Sequence, residues 1–403
     1  MNVFGIDFQQ AFSVICLRES NAGQNHFRSI GDGYSHLIPN LVSNDGRWGT
    51  KALTVDNHGS SAALSKLLNT QVAPEFWQHV FARLYRYLGQ LEPAHKNGYH
   101  LTIAAHTTGT ATLIPALSQT LRDSGFKEFD VVSPPLALLC RWLKETTPNL
   151  NQVKRVVSIA IGDASVLVTA YNLSGKSGNL QIAGSSDTLE IANTGFTVWT
   201  TKILDKVEDL LGEELPENNQ SNVFASAVHF CDLLRRSKGG QPVEWFGSGN
   251  RKLTSRGSNA YFTKRECEAW PEVASLQLQL PSLVTQALKQ IANDSTADEL
   301  LVGGIGALWP FGFDSAKRLG PVWMSNDEAN DIARGATWFP ELHDLTDREG
   351  RRFLSPQNEV GPNWDESESD SSAPTVVSEK TGSDNDSVVD QNLPPWLRKQ
   401  VIE

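Results

Sequence analysis

Two short turns hold the residues of this chain that could act on a phosphate group. The first turn, Phe8-Gln9-Gln10-Ala11, directly follows Asp7, and the second is Ile161-Gly162-Asp163-Ala164-Ser165. Hydrolysis of a nucleotide phosphate requires glycine N–H groups close to the phosphate oxygens and carboxylates that hold hydrated Mg²⁺. Only part of this set is present, because the side chains of Gln9 and Gln10 crowd the first turn. We therefore expect both turns to be poor phosphate cradles.

Each turn joins two strands of a unit that occurs twice. Val3 to Leu17 has the pattern of a β-hairpin, and Val156 to Tyr171 repeats it about 150 residues later. Two such units, one opening each half of the chain, predict a duplicated α/β fold that closes on a ligand between its halves. Helical spacing follows in Leu136 to Glu145 and in Thr197 to Leu211. A fold of this geometry suits a nucleotide.

Composition divides the chain into two halves and a tail. We predict one lobe in residues 1–150, a second lobe in residues 151–343 with a smaller subdomain at 200–295, and a tail in residues 344–403. In the tail hydrophobicity falls, and Ser, Asp, Glu, Asn and Pro dominate. Such a segment cannot bury enough apolar area to offset the entropy of ordering, so we predict that it is disordered.

The length fits a globular protein of two or more domains, and the charge argues against a nucleic-acid partner. The 403 residues are 39% hydrophobic, which supplies ordinary cores for two or more domains. The formal charge of −11 is concentrated in Asp365 to Asp390, where eight acidic residues face Lys380 alone, a local net charge of −7. No basic cluster approaches the density that a phosphate backbone needs, so we expect no nucleic-acid partner.

The cysteines and the apolar runs indicate a cytoplasmic protein. Cys16, Cys140, Cys231 and Cys267 are widely separated and form no C-x-x-C pair, which is typical of reduced thiols in a core. The first residues enter a strand without a basic and apolar leader. No apolar run approaches the ~20 residues needed to cross a bilayer. We therefore expect a cytoplasmic location and no membrane partner.

The order of these elements resembles the nucleotide-binding domain of the heat-shock protein 70 family, over roughly residues 1–342. Gly5-Ile6-Asp7 is similar to the start of that family's first phosphate loop. Phe230-Cys231-Asp232-Leu233-Leu234-Arg235-Arg236-Ser237 resembles the helix that holds adenine and ribose. Leu301-Val302-Gly303-Gly304-Ile305-Gly306 resembles the adenosine loop, and Asn326-Asp327-Glu328-Ala329 resembles the start of the final helix.

The resemblance implies an actin-like ATPase fold, in which two RNase-H-like lobes with smaller subdomains flank a nucleotide cleft. ATP or ADP is the implied ligand, and Mg²⁺ is the implied metal. Asp7 and Lys66 match catalytic positions, and Asp7 would also hold Mg²⁺ through water. The residues that match nucleotide-binding positions are Gly162, Ser165, Asp232, Arg235, Arg236, Gly303, Gly304 and Asp327.

Several positions depart from the family pattern on the phosphate side. Ala160 and Leu167 stand where the family has metal-side aspartates, and Ser133 replaces an acidic residue at the domain junction. Val198-Trp199-Thr200 falls where two adjacent glycines would approach the nucleotide. Losing several metal and charge clamps together leaves turnover near background.

These departures predict a degenerate member that binds an adenine nucleotide with weak or absent hydrolysis and acts as a switch or scaffold for partner proteins. Two alternatives stay open. One is an active, slow ATPase of the chaperone type. The other is a ligand-free pseudo-ATPase scaffold in which Trp199 fills the cleft.

The matched residues also have structural interpretations. Gly303 and Gly304 fit a tight turn, and Asp327 fits a helix N-cap. The two adjacent arginines fit a solvated helix face. Lys66 fits the surface charge of an amphipathic helix. The hypothesis of a nucleotide site therefore depends on the order and spacing of the motifs together.

The C-terminal segment predicts a partner rather than a substrate domain. The roughly 60 residues beyond residue 343 are too few for the β-sandwich with which chaperones of this family hold substrates. Leu393 to Ile402 begins with Leu393-Pro394-Pro395-Trp396-Leu397 and follows the acidic run. This segment resembles a short docking motif that folds on a protein partner, with a frayed terminus as the alternative.

Overall fold

Two mixed β-sheets and the helices packed on them make up the structure, a computed structural model of the chain. The residues that it describes are 2–9, 12–21, 24–30, 37–39, 41–42, 62–63, 86, 100–105, 123, 128–149, 153–174, 181–211, 230, 233–234, 236–245, 260–292, 295–309 and 313–342. The chain is an α/β protein across these ranges.

The strands are β1 (Val3–Phe8), β2 (Phe12–Asn21), β3 (Gln24–Ile30), β4 (Leu37–Pro39), β5 (Leu41–Val42), β6 (Ala62–Ala63), β7 (His100–Ala105), β8 (Glu128–Val132), β9 (Arg155–Ile161), β10 (Ser165–Ser174), β11 (Gln181–Ser185), β12 (Leu189–Ala192), β13 (Pro242–Trp245), β14 (Ala260–Thr263), β15 (Glu299–Gly303) and β16 (Val322–Trp323). Strands β5 and β6 form one small antiparallel pair, and β13 and β14 form another.

The two large sheets have the same topology. In the first sheet the strand order is β3-β2-β1-β7-β8, and in the second it is β11-β10-β9-β15-β16. The central strand of each sheet, β1 or β9, is antiparallel to the strand that follows it in sequence and parallel to the strand on its other side. The predicted repeat of a strand-turn-strand unit is therefore confirmed at both positions.

The helices are α1 (Pro134–Thr146), α2 (Phe196–Leu211), α3 (Lys264–Glu268), α4 (Pro271–Ile291) and α5 (Asp331–Leu342). Short 3-10 helices span Ile305–Leu308, Asp314–Leu319 and Glu328–Asn330. Helix α1 packs on the second sheet, α5 packs on the first sheet, and the two helices pack on each other. The pair therefore joins the two sheets.

Burial on both faces explains the apolar sequence of strand β9. Helix α4 covers one face of the second sheet and α1 covers the other. Val156 to Ile161 are all buried, as expected for a central strand between two helical layers. Strand β1 is buried along its whole length in the first sheet.

A buried ion pair holds the two joining helices together. The Arg141 guanidinium of α1 pairs with the Asp331 carboxylate at the start of α5, and the Asp331 side chain has no solvent exposure. Arg141 Nε also donates to Glu145 Oε2 at 3.2 Å, and Arg334 Nε of α5 donates to Glu145 Oε1 at 2.6 Å. The helices approach closely, because a Cβ on Gly335 would overlap the carbonyl oxygen of Ala137.

Two helix starts differ from the sequence expectation. Helical spacing predicts a start near Ser275, but α4 begins at Pro271 and continues through Pro281. Proline is well tolerated in a first turn, where its missing N–H has no helical partner. The final helix is predicted from Asp327, but a 3-10 turn comes first and α5 begins at Asp331.

The described cysteines are buried free thiols, as predicted. Burial raises the pKa of Cys16, Cys140 and Cys267 to about 12. Thiols of this kind are unreactive at neutral pH. Cys231 lies outside the described residues. Within the described ranges, no helix combines the length and the apolar character that a membrane crossing requires.

Candidate functional site

Asp7 is buried at the carboxyl end of the central strand β1, between Val14 of β2 and Ala104 of β7. Its Oδ1 accepts a hydrogen bond from Gln9 Nε2 at 2.5 Å. Its Oδ2 has no hydrogen-bond partner in the described part of the chain. Burial raises the pKa of Asp7 to about 7, while the Gln9 hydrogen bond lowers it and the nearby Asp163 carboxylate raises it further.

The side chain of Gln9 extends from the first turn to the second turn. A Cβ built on Gly162 would lie only 2.5 Å from Gln9 Oε1, so the amide oxygen lies against this glycine. The amide nitrogen of the same side chain donates to Asp7. Gln9, itself in the first turn, therefore contacts Asp7 of β1 through one end of its amide and the second turn through the other.

The backbone of the second turn is occupied by hydrogen bonds within the protein. Gly162 N donates to Ser165 O at 2.8 Å. The first N–H groups of α2 donate back to the turn, from Phe196 N to Gly162 O at 3.1 Å and from Thr197 N to Asp163 O at 2.8 Å. Helix N-terminal N–H groups are common phosphate donors, but here the turn carbonyls satisfy them.

The glycine turn after β15 packs against the second turn. A Cβ on Gly304 would lie 2.5 Å from Ile161 O, and Gly304 has a φ of 102°, which disfavours any residue with a side chain. A Cβ on Gly303 would lie 2.6 Å from Asp331 Oδ2. Both glycines are therefore required by contacts within the protein.

Asp327 also makes local contacts. Its Oδ1 accepts a hydrogen bond from Asn330 Nδ2 at 2.6 Å, and its backbone N–H donates to Ser325 Oγ at 3.0 Å. Gly304 N donates to Glu328 O at 2.9 Å, which ties the glycine turn to this segment. The structure thus brings the segments of Gly162, Gly304 and Asp327 together, and each of these contacts is made within the protein.

Trp199 belongs to a buried aromatic stack. Its ring lies 5.6 Å from the Trp309 ring at an interplanar angle of 22°, and Trp309 lies 5.5 Å from Trp270 at 19°. Phe262 and Phe230 continue the contact edge to face. Trp199 is fully buried. A large aromatic group therefore fills the space near the position where the resemblance requires two glycines.

Three of the positions that depart from the family pattern have structural roles. Ala160 and Leu167 are buried and lie opposite each other in the β9–β10 register. Ser133 Oγ accepts from Leu136 N at 3.4 Å and caps α1. In the portion of the chain that the structure describes, no group of three His, Cys, Asp or Glu side chains could hold a metal ion.

The remaining predicted residues are only partly described. Ser165 lies at the start of β10 with its carbonyl bonded to Gly162 N, and Arg236 is exposed. Lys66, Asp232, Arg235 and the segment Leu393 to Ile402 lie outside the described residues. Their predicted roles stay predictions.

Sequence reasoning missed two features of the site. Gln9 was expected only to crowd the first turn, whereas its amide bridges Asp7 of β1 and Gly162 of the second turn. The Arg141–Asp331 pair was not anticipated. A charged residue within the apolar pattern of the helix that starts after Ser133 was a signal for this pair, since a buried charge requires a partner.

No protein-family model and no curated protein matches this chain. A functional proposal therefore depends on the sequence resemblance, on the repeated sheet topology and on the contacts at the two turns.

Proposed function

We propose that this protein is a degenerate actin-like ATPase of the heat-shock protein 70 type, which does not hydrolyse ATP and serves as a nucleotide-free scaffold for partner proteins. The order of the motifs supports the family. The identical strand order of the two large sheets supports a pair of RNase-H-like lobes. The contacts at the turns support the loss of catalysis.

The observation that carries the proposal is the state of Asp7. It is the one carboxylate kept among the catalytic and metal-side positions of the resemblance, and its Oδ1 accepts from Gln9 Nε2. Burial raises its pKa to about 7, so at neutral pH the neutral carboxyl competes with the anion that a hydrated Mg²⁺ requires. A positioned metal supplies several kcal/mol of transition-state stabilisation, so its loss leaves turnover near background.

The second turn supports the same conclusion. The N–H of Gly162 and the first N–H groups of α2 are bonded to carbonyl oxygens of the protein. A phosphate would have to break these hydrogen bonds in order to bind there. Trp199 places a buried aromatic ring at a position where the resemblance requires two glycines. These contacts favour the nucleotide-free alternative over binding without hydrolysis.

A scaffold role fits the way in which the two sheets are joined. Helices α1 and α5 share a buried ion pair and a close backbone approach at Gly335, and each helix packs on a different sheet. Ligand-driven rotation of the lobes would disturb both contacts. The protein then presents one fixed surface, and Leu393 to Ile402 is our proposed attachment site for a partner.

Phosphate release from the full chain tests the loss of catalysis. With MgATP, we expect release at the rate of the buffer blank, and we expect Asp7→Ala to leave that rate unchanged. Metal-dependent release that Asp7→Ala abolishes would overturn the proposal.

A pull-down tests the scaffold role. Tagged full-length chain and a variant that lacks residues 391–403 are compared, each with and without MgATP. We expect partner capture that depends on the C-terminal segment and is the same with and without nucleotide. Capture that MgATP releases would indicate a switch instead.

A further inference from the structure

If the proposed function is taken as the starting point, the contacts of Gln9 indicate how phosphate is excluded. We infer that Gln9 is the residue that excludes phosphate, because its side-chain amide extends from the first turn and links Asp7 of β1 to Gly162 of the second turn without a ligand. The two sheets would then be held together at this point by the protein itself.

The amide suits this position because it offers a donor and an acceptor in one neutral group. Its Nε2 donates to Asp7 Oδ1 at 2.5 Å, on the central strand of the first sheet. Its Oε1 lies against Gly162, which follows the central strand of the second sheet. One side chain thus contacts both sheets at the ends of their equivalent strands.

Glycine at position 162 leaves room for the side-chain amide of Gln9. Any side chain at position 162 would begin with a Cβ 2.5 Å from Gln9 Oε1, closer than such atoms approach without displacement. Gly162 has no positive φ, so alanine fits its backbone and the clash with Gln9 is the main obstacle. Gln9 and Gly162 are therefore predicted to be energetically coupled.

Other residue types fail at position 9 for chemical reasons. Glutamate would place a further carboxylate beside Asp7 and close to Asp163, and like charges in a buried site repel strongly. Methionine has a similar length but offers neither the donor nor the amide oxygen. The inference therefore concerns the hydrogen-bonding group as well as the volume that it fills.

Hydrogen exchange on the full chain tests the link. The reporters are the backbone amides of Gly162, Phe196 and Thr197, each of which donates a hydrogen bond to a carbonyl oxygen of the second turn. We expect Gln9→Ala to accelerate their exchange roughly 10- to 100-fold, since a hydrogen bond to a carboxyl group is lost. Gln279→Ala is the matched control, because Gln279 Nε2 donates to Ser275 Oγ of its own helix, an exposed hydrogen bond. The control should leave these amides unchanged.

A double-variant cycle tests the coupling. Gly162→Ala alone should also accelerate exchange, because its methyl group displaces Gln9. In Gln9→Ala/Gly162→Ala the methyl group enters vacated space, so exchange should be no faster than in Gly162→Ala alone. Gly162→Ala combined with Gln279→Ala should show independent effects.

Additive effects of Gln9→Ala and Gly162→Ala, or unchanged exchange in Gln9→Ala, would overturn the inference. If Gln9→Ala does not fold, Gln9→Met keeps most of the volume and is measured in its place. Phosphate release by the wild type separates this result from the proposed function. Release at background with additive variants contradicts only the role of Gln9, whereas brisk metal-dependent release contradicts the proposed function itself.

Discussion

The carboxyl of Asp7 shows how burial at a single residue alters charge. Its pKa rises from 3.8 to about 7 in the folded protein, chiefly through loss of solvent. Between about pH 4 and pH 7, the native state therefore keeps a proton that the unfolded chain has already lost. This residue contributes most to stability below about pH 4, and its contribution is lost as the pH rises to about 7.

Asp7→Asn should remove this pH dependence. Asparagine keeps an oxygen that accepts from Gln9 Nε2 and carries no charge at any pH. We expect the free energy of unfolding of Asp7→Asn, relative to wild type, to increase by roughly 2–4 kcal/mol between about pH 4 and pH 8. Urea denaturation of both proteins at each pH measures the difference, in which other titrations cancel. A difference that is constant with pH would refute the assignment.

The aromatic stack of Trp199, Trp309 and Trp270 belongs to a hydrophobic core. Trp199 of α2 is fully buried and stacks on Trp309, and the ring of Trp309 stacks on Trp270. Truncating such a side chain removes apolar contacts and leaves a cavity. We expect Trp199→Ala to lower the free energy of unfolding by about 3–5 kcal/mol.

Tyr261→Ala is the control for the stack, because Tyr261 is 51% exposed on the neighbouring β14. We expect it to change the free energy of unfolding by only about 0.5 kcal/mol. Chemical denaturation of both variants gives the comparison. Equal effects would show that Trp199 does not fill a packed core.

The crossing of helices α1 and α5 depends on the Arg141–Asp331 pair. Removing the guanidinium leaves a carboxylate without solvent exposure and without its ion partner. We expect Arg141→Ala to destabilise the protein by about 3–5 kcal/mol in urea denaturation, because uncompensated buried charge is costly. Arg141→Ala/Asp331→Ala should be less destabilised than the sum of the two single variants.

Arg155→Ala provides the matched control for this pair. Arg155 and Asp298 also pair between distant parts of the chain, at 2.6 Å, but their side chains remain 26% and 20% exposed. Solvent screens such a pair, so we expect a loss of about 1 kcal/mol. A loss as large as that of Arg141→Ala would contradict the argument from burial.

Local sequence patterns predicted the elements more closely than their contacts. The prediction of a helix from Thr197 to Leu211 agrees with α2 to within one residue. Pro134 and Pro135 marked the first turn of α1 because proline lacks an N–H there. The bridge from Gln9 to Gly162 joins residues far apart in sequence, and no local propensity encodes it.

At the scale of the whole molecule, the two sheets repeat one topology while their turns differ in chemistry. The repeat was predictable because each hairpin has its own short pattern. The closure of the second turn by α2 was not, since Gly162 and Asp163 accept from Phe196 and Thr197 only after the chain has folded back. The resemblance identifies positions whose residue types differ from the family pattern, but only the folded contacts show what those residues do in this chain.

Thermal unfolding with nucleotides tests the molecule as a whole. A ligand that binds the native state at 100 times its dissociation constant stabilises it by about 2.7 kcal/mol, a shift of several degrees in Tm. Gln9 donates to Asp7, and the carbonyl oxygens of the second turn accept from the N–H groups that a phosphate would need. We therefore expect no shift with ATP or ADP, with or without Mg²⁺. Differential scanning fluorimetry of the full chain at millimolar nucleotide measures this. A shift with ADP alone that Arg236→Ala removes would instead show that the nucleoside pocket has survived, and the protein would be a nucleotide-binding pseudo-ATPase.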